Sequence, residues 1–394
     1  MRCSIARSRV ARTLRVRAEG RAAGWLVVCA AVAVHLPALD ASFQFDDWNV
    51  IVANRLVHSW SAWWSGMPGI RPLLKASYTL SWTAGFGVTG FRAFNIAVHA
   101  LNALLVLHLV RRIAPRLGVA DAPTAALVAA LVFALHPAQT EAVTYVSGRS
   151  SALMSTFCLL AVLAHLRAAD ARAPGAWRGL SGLALLAALG VKENAWAVPG
   201  LLLLCEASDR DFRWRVAFAR LWSQWLVLGA ACVLVLFIPA YWRLFGASLA
   251  TRSLGDNLLT QIDGVFHLLS GPLWGIGLNI DPDLAARVAW SPELGLKAGV
   301  LAALLAVVIA QWRARPWLAF GIAWWFVALL PTNSVLPRLD VVNDRQLYLA
   351  LVGPAIVVGH AVGTLSGRAG LTAIVVLAIL LGGRTMMRNA DYQT

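Results

Sequence analysis

The sequence predicts an all-α polytopic membrane protein of about eleven transmembrane helices, with two long outer loops bearing interfacial helices. Three observations predict it. The 394 residues are 59% hydrophobic and only 13% charged, far too apolar for a water-soluble domain. Apolar runs close to the ~20 residues that cross a bilayer recur along nearly the whole length. The basic residues, finally, collect on alternate loops.

The first apolar run, 24–39, follows a stretch that carries seven arginines and one glutamate before Gly24. Such a basic tail, residues 1–23, stays on the cytoplasmic side. The same stretch, with small residues near Ala38 and Ala41, also fits a cleaved signal peptide over 2–39; an uncleaved anchor is the better reading, since cleavage would cost the eleven-span parity. Further runs lie near 93–110, 123–135, 150–166, 179–190, 195–206, 222–240, 298–311, 316–331, 346–363 and 369–383. Several are short enough to extend into their loops. Together they form one transmembrane body, 24–383, with a short tail, 384–394, on the outer, periplasmic side. The inner segments then hold 20 of the 34 Lys and Arg, although the outer segments are about twice as long and carry most of the acids. The net charge of +15 is the positive-inside rule at work and implies no nucleic-acid partner. Cys3, Cys29, Cys158, Cys205 and Cys232 mostly sit in apolar runs without paired spacing, so neither a disulfide framework nor a metal knuckle is expected.

Outer loop 40–92 contains "HSWSAWWSGMPGIRPLLKASYTLSW". Tryptophan favours the headgroup level, which predicts short helices lying along the membrane surface. Outer loop 241–297 contains "NLLTQIDGVFHLLSGPLWGIGLNIDPDL". Asp263, His267 and the "SGP" break interrupt its apolar part, and counting it as a span would place Arg313, Arg315 and Arg368 outside. It too reads as interfacial. No repeat of 20 to 50 residues is present, so a solenoid is excluded.

Four polar clusters fall on the outer face: Asp46-Asp47 in "FQFDDWNVI", "HPAQTEAVTYVSGRSS" (136–151), "VKENAW" (191–196) and "PRLDVVNDRQLYLA" (337–350). Convergence on one face is what an active site at the membrane–water interface would give. Asp46 and Asp47 stand between Phe45 and Trp48, where desolvation and mutual repulsion raise a carboxyl pKa and suit a general base. As ordinary loop acids they would simply be solvated. Pro137 ends the third span by removing a backbone donor; His136, Thr140 and Glu141 then either cap helix ends or meet substrate. Lys192 and Glu193 join two short apolar runs. A charge at the bilayer centre costs about 2.5–3.5 kcal/mol, so the pair either has a purpose or is a hairpin tip in water. Arg345 and Tyr348 open the tenth span from outside, where the arginine fork can take a lipid phosphate. Asn95, His99 and Asn102 share one face of the second span, as hydrogen bonding between helices requires. No second His or carboxylate near them has ligand spacing, so no metal site is indicated. The sequence implies no cofactor, and it neither requires nor forbids a divalent metal.

These groups suit transfer of a sugar from a polyprenyl-phosphate donor. The leaving phosphate is a stable anion and needs cations beside it, while the acceptor hydroxyl needs one carboxylate base. Glycoside hydrolysis differs, because there two carboxyls share the acid and base roles. Asp46 or Asp47 as base, with Arg345 and Lys192 beside the phosphate, meets both requirements.

"FDDW", "RPL" (71–73), "HALN" (99–102), "FALHPAQTEAVTYVSGR" (133–149), "VKENA" (191–195), "LNIDPD" (278–283) and "NDRQLYLALVG" (343–353) occur in that order. Together they resemble the transmembrane O-mannosyltransferases that carry tetratricopeptide repeats, and their bacterial relatives, of the GT-C glycosyltransferase superfamily. The resemblance covers nearly the whole chain, and the HPxxTExV…GR string is its specific part. It implies a GT-C-type fold, a lipid-phosphate-linked sugar, usually mannose, and inverting transfer to a hydroxyl. The catalytic acid of the first loop maps to Asp46 or Asp47, the acid of the HPxxTE motif to Glu141, and the basic residue of the late loop to Arg345. His136, Arg149, Lys192 and Glu193 lie in the same strings as substrate-binding candidates, and Tyr348 accompanies Arg345 at the lipid phosphate. The sequence departs from the family in three ways. The tetratricopeptide repeats are absent, "GRSSAL" has no acid after Arg149, and Asp344 stands where a Glu-Arg pair is usual. The expected partners are the lipid-linked sugar, a protein or envelope-glycan acceptor and the bilayer, and the Ala- and Arg-rich composition points to a bacterial inner membrane. The rivals are a non-catalytic binder or scaffold and, less well supported, a transporter. A transporter would gather its polar residues near the midplane between inverted repeats.

Overall fold

The computed structural model describes residues 20–66 and 69–393; most of the basic tail, 1–19, lies outside the described residues. Every regular element among them is a helix. A bilayer demands this, because a helix satisfies its backbone hydrogen bonds within one segment.

The chain opens with α1 (20–33), prolonged by a turn at Leu36–Ala38. The first outer loop then carries α2 (Trp60–Gly66) and α3 (Pro72–Thr83). Next come α4 (Gly87–Ile113), α5 (Ala122–Leu135), the short α6 (Thr140–Val143), α7 (Arg149–Ala168), α8 (Pro174–Val191) and α9 (Val198–Ala207). After α10 (Trp214–Arg220) and α11 (Trp222–Leu236), the second outer loop holds α12 (Pro239–Thr251) and α13 (Leu254–Ser270). The closing set is α14 (Pro292–Gln311), α15 (Pro316–Leu329), α16 (Leu347–Ala350), α17 (Val352–Gly363) and α18 (Gly367–Ala390). Several of these begin with proline, whose missing N–H falls where a helix has no partner for it. Side chains cap others: Asp121 accepts from Thr124 N, Ser253 from Asp256 N and Ser291 from Leu294 N, each at 3.1 Å.

All eleven expected apolar runs are helical. By length and composition five helices can each cross a membrane, or up to eight spans if each bent helix pair is one. The chain is therefore a multi-pass helical membrane protein. The bent pairs sit where the sequence places its motifs: α5 meets the HPAQTE segment at 53°, and the segment 344–350 meets α17 at 57°. Pro137 accounts for the first bend. The two long loops, 40–92 and 241–297, both carry helices, and α18 runs past the expected boundary at 383 to Ala390.

α4, α5, α7 and α17 form the centre, with α8 and α15 packed outside them. Two glycines permit this closeness. A Cβ on Gly353 would collide with the Gly321 carbonyl of α15, and one on Gly359 with the Ala125 carbonyl of α5.

Candidate functional site

Asp46 and Asp47 part company in the structure. Asp47 is wholly buried. Its Oδ1 accepts from Ser147 N at 2.8 Å and Ser147 Oγ at 2.5 Å, and its Oδ2 from Gln44 N at 3.1 Å. Burial pushes its pKa up, against the opposing hydrogen bonds from Ser147 and Gln44. Asp47 thus fastens the first outer loop to the segment that leads into α7. Asp46 is exposed, and its backbone N–H donates to the Tyr145 hydroxyl at 3.0 Å. Phe45, just before it, holds a left-handed backbone at φ 43, rare for a bulky side chain. That kink turns one acid inward and leaves its neighbour outward.

Tyr145 joins the acid loop to the cations. The Arg345 guanidinium lies 5.9 Å from the centre of its ring. Burial, then the charges of Asp46 and Asp47, push the phenol pKa up, so it stays protonated. Arg345 is held from the other side by Glu141, whose Oε2 accepts from Arg345 N at 2.7 Å and whose Oε1 lies 3.4 Å from Nε. Glu141 is itself almost fully buried. It orients Arg345, whose side chain is 12% exposed and whose Nη2 lies 3.5 Å from Asp340 Oδ2.

A second cation group converges on the same place. Lys192 Nζ donates to Ser151 Oγ at 2.8 Å near the start of α7. Burial, followed by the charges of Arg345, Arg338 and Arg71, pushes Lys192 well below the usual lysine range. Lys192 therefore lies within electrostatic reach of three arginines, Arg345, Arg338 and Arg71. Arg71 is clamped by Glu193, Nη2 to Oε2 at 2.7 Å and Nε to the two carboxylate oxygens at 3.0 and 3.1 Å. Burial works to raise the Glu193 pKa, but Arg71 outweighs it and holds the carboxyl below its usual range. The Arg71 backbone is left-handed, at φ 56. Arg338 is depressed first by burial, then by Arg345 and Arg71.

Three candidates from the sequence are committed elsewhere. His136 Nδ1 accepts from Ala138 N at 3.2 Å, so Nε2 carries the proton and donates to the Leu273 carbonyl at 3.0 Å. It ties the bend after α5 to the second outer loop. Arg149 is fully buried in the bundle. It donates to Asn95 Oδ1, to the Ser77 and Phe91 carbonyls and to Ser81 Oγ, between 2.6 and 3.1 Å, and stands 4.4 Å from the Phe94 ring centre. The Tyr348 hydroxyl is taken up by His99 Nδ1 at 2.8 Å and Asn102 Nδ2 at 3.0 Å. These three side chains spend their polar atoms inside the protein. The structure therefore brings together Asp46, Asp47, Glu141, Arg345, Lys192 and Glu193, and adds Tyr145, Arg71 and Arg338, which carry no role in the sequence reading. Arg71 stands in the quoted "RPL" and Tyr145 in the quoted HPxxTE string, but nothing in their local spacing says which side chains face the cluster.

Against this geometry stand the comparisons with known proteins. No family model matches the chain. The fruit-fly protein O-mannosyl-transferase Tmtc2 is 32% identical over 237 residues, 54% of this chain and 24% of the fly protein. Fruit-fly Tmtc1 is 34% identical over 204 residues, 47% of this chain. Human TMTC4 is 24% identical across 90% of this chain. The chain is a relative of the TMTC protein O-mannosyl-transferases. It spans 24% and 22% of the length of the two fly relatives and 58% of human TMTC4.

Proposed function

We propose that the chain is a GT-C-type glycosyltransferase that moves a sugar from a polyprenyl-phosphate donor to an acceptor hydroxyl at the periplasmic face of a bacterial inner membrane. The names of its TMTC relatives favour mannose as the sugar and a protein as the acceptor. One observation carries the reading: an exposed carboxylate, Asp46, is hung from Tyr145, whose ring centre lies 5.9 Å from the Arg345 guanidinium, beside a group of three arginines and Lys192.

Asp46 is the better base of the pair. A base must reach the acceptor proton, and both Asp47 oxygens are already occupied. Asp46 takes the proton as the acceptor oxygen attacks the anomeric carbon. The bond from that carbon to the phosphate oxygen breaks on the opposite side, which inverts the configuration. The phosphate leaves with the bonding electrons, beside Arg345 and Lys192, with Arg71 and Arg338 behind them. Lys192, depressed by burial and then by its cationic neighbours, gains proton affinity when the phosphate brings negative charge. Glu141 and Glu193 are positioning residues for Arg345 and Arg71.

The test uses the full chain in lipid nanodiscs with synthetic polyprenyl-phosphate mannose and envelope extract, following released polyprenyl phosphate. Asp46→Asn is expected to lower turnover by about 10²–10⁴-fold without changing the melting temperature. Unchanged turnover in that variant would remove Asp46 as base. Donor binding by the wild type without turnover, across several sugars and acceptors, would favour the scaffold instead.

A further inference from the structure

α9 starts beside the Lys192–Glu193 turn, so its far end, and with it α10, lies away from the proposed sugar site. There the chain does something the transferase reading does not use. α10 meets α11 at 61°, so the two do not continue as one straight rod. Four apolar residues form a stripe: Ala217 and Leu221 are buried against the protein, while Trp214 and Phe218, four residues apart on the adjoining part of that face, are 66% and 53% exposed; Val216, off the stripe, is 39% exposed. Phe212 and Trp222 extend the exposed aromatics at either end.

The flank of this stripe is cationic. Arg213 and Arg215 are exposed, and the Arg215 guanidinium lies 5.2 Å from the centre of the Trp214 ring. Arg210 stands between the exposed Asp209 and Asp211, which outnumber it by one charge, so with Arg213 and Arg215 the run 209–215 is net positive by one. The rest of the short helix is fixed in place. Arg220 Nη1 binds Glu206 Oε2 at 2.8 Å, and the other Glu206 oxygen takes His165 Nε2 at 2.8 Å. The Trp225 indole donates to the Phe218 carbonyl at 2.9 Å and stacks on the Phe218 ring. An anchored helix that turns across the bundle end, with an aromatic stripe and arginines at its edge, has the design of a surface that reads lipid headgroups.

We infer that the segment 209–222 is a docking platform for anionic phospholipid. Trp214 and Phe218 enter the acyl boundary, and Arg213 and Arg215 hold the headgroup phosphates. The occupant is a negatively charged leaflet because the aromatic stripe is flanked directly by the exposed Arg213 and Arg215 and the run 209–215 carries a net positive charge, whereas a zwitterionic surface offers it no net attraction.

The experiment titrates the detergent-purified full chain with phosphatidylglycerol or phosphatidylcholine and counts bound lipids by native mass spectrometry. The wild type is expected to prefer phosphatidylglycerol, less so at high salt. Arg213→Gln with Arg215→Gln should weaken phosphatidylglycerol binding on the order of tenfold and leave phosphatidylcholine unchanged. Trp214→Ala with Phe218→Ala should weaken both lipids. Arg313→Gln with Arg315→Gln, on another loop, should leave the preference intact. The inference is overturned if the wild type shows no preference, or if the Arg213/Arg215 variant keeps it. An equal loss in the Arg313/Arg315 variant, which would mean diffuse charge, also overturns it, as does unchanged lipid binding in the Trp214/Phe218 variant.

Discussion

Two halves of this bundle use the same apolar alphabet and pack very differently. In the spans Gly87–Ile113 and Val146–Ala168, 61% and 72% of the most apolar window is buried within the protein; in Pro292–Gln311 and Gly367–Ala390 only 6% and 17% is. Lipid tails are as apolar as leucine, so tight contact between membrane helices rests on small residues and on hydrogen bonds between them. The tight half has both. Arg149, Asn95, His99 and Asn102 are buried and bonded to one another's neighbours, and Gly321, Gly353 and Gly359 let backbones touch. α14 offers an exposed row of Ala, Leu and Val instead. The HPAQTE segment, the Lys192 turn and the Arg345 turn are rooted in the tight half or at its edge. A site that must hold a carboxylate and several cations in register stands on the half that cannot shift.

Arg149 should separate the halves most. Arg149→Met keeps volume but leaves Asn95 Oδ1 and the Ser77 and Phe91 carbonyls without their donor. Each buried acceptor left without a donor costs about 1–3 kcal/mol, and the expected readout is loss of folded protein on size exclusion and a sharply lower melting temperature. Ile309→Ala on α14, where the side chain is 81% exposed, should leave both nearly unchanged. Equal melting of the two variants would abolish the contrast.

A glycine pair gives the next largest difference. Alanine at Gly353 must displace the Gly321 backbone or the Trp324 side chain, whereas alanine at Gly299 meets nothing within 4 Å. Overpacking costs about 1–3 kcal/mol, so Gly353→Ala should melt several degrees early and Gly299→Ala should melt with the wild type.

Much of this was legible in the sequence. Hydropathy placed its eleven apolar runs on helices, of which five, or up to eight spans with bent pairs joined, are long and apolar enough to cross a membrane; Pro137 announced the bend after α5, and the aromatic and proline breaks announced helices in both long loops. The site's ingredients were legible as strings of polar residues beside apolar ones. Their division of labour was not. Arg149 and Arg345 look alike in sequence, yet one is enclosed by Ser77, Phe91 and Asn95 while the other stays partly open, and only long-range packing decides that. The left-handed backbone at Phe45 and Arg71 leaves no mark in composition either, since neither is glycine.

The smallest effect concerns how the outer loop is fastened to the tight half. Asp47 is the pin, and burial raises its pKa above the ordinary 3.8. A carboxyl that holds its proton more tightly folded than unfolded favours the folded state most at pH below that ordinary value. As pH rises from there through the raised native value, the unfolded chain ionises first, and this contribution to stability is lost. Asp47→Asn cannot ionise, yet its amide oxygen can still accept from Ser147 N and Oγ; only the acceptor for Gln44 N is given up. Melting temperature measured from pH 4 to pH 8 should therefore fall less steeply in the variant than in the wild type, by on the order of 1 kcal/mol across the range. Parallel curves would mean that Asp47 is already ionised in the native loop throughout this range. The Ser147 contacts would then be strong enough to outweigh burial, and the loop would be held as firmly as the interior of the tight half.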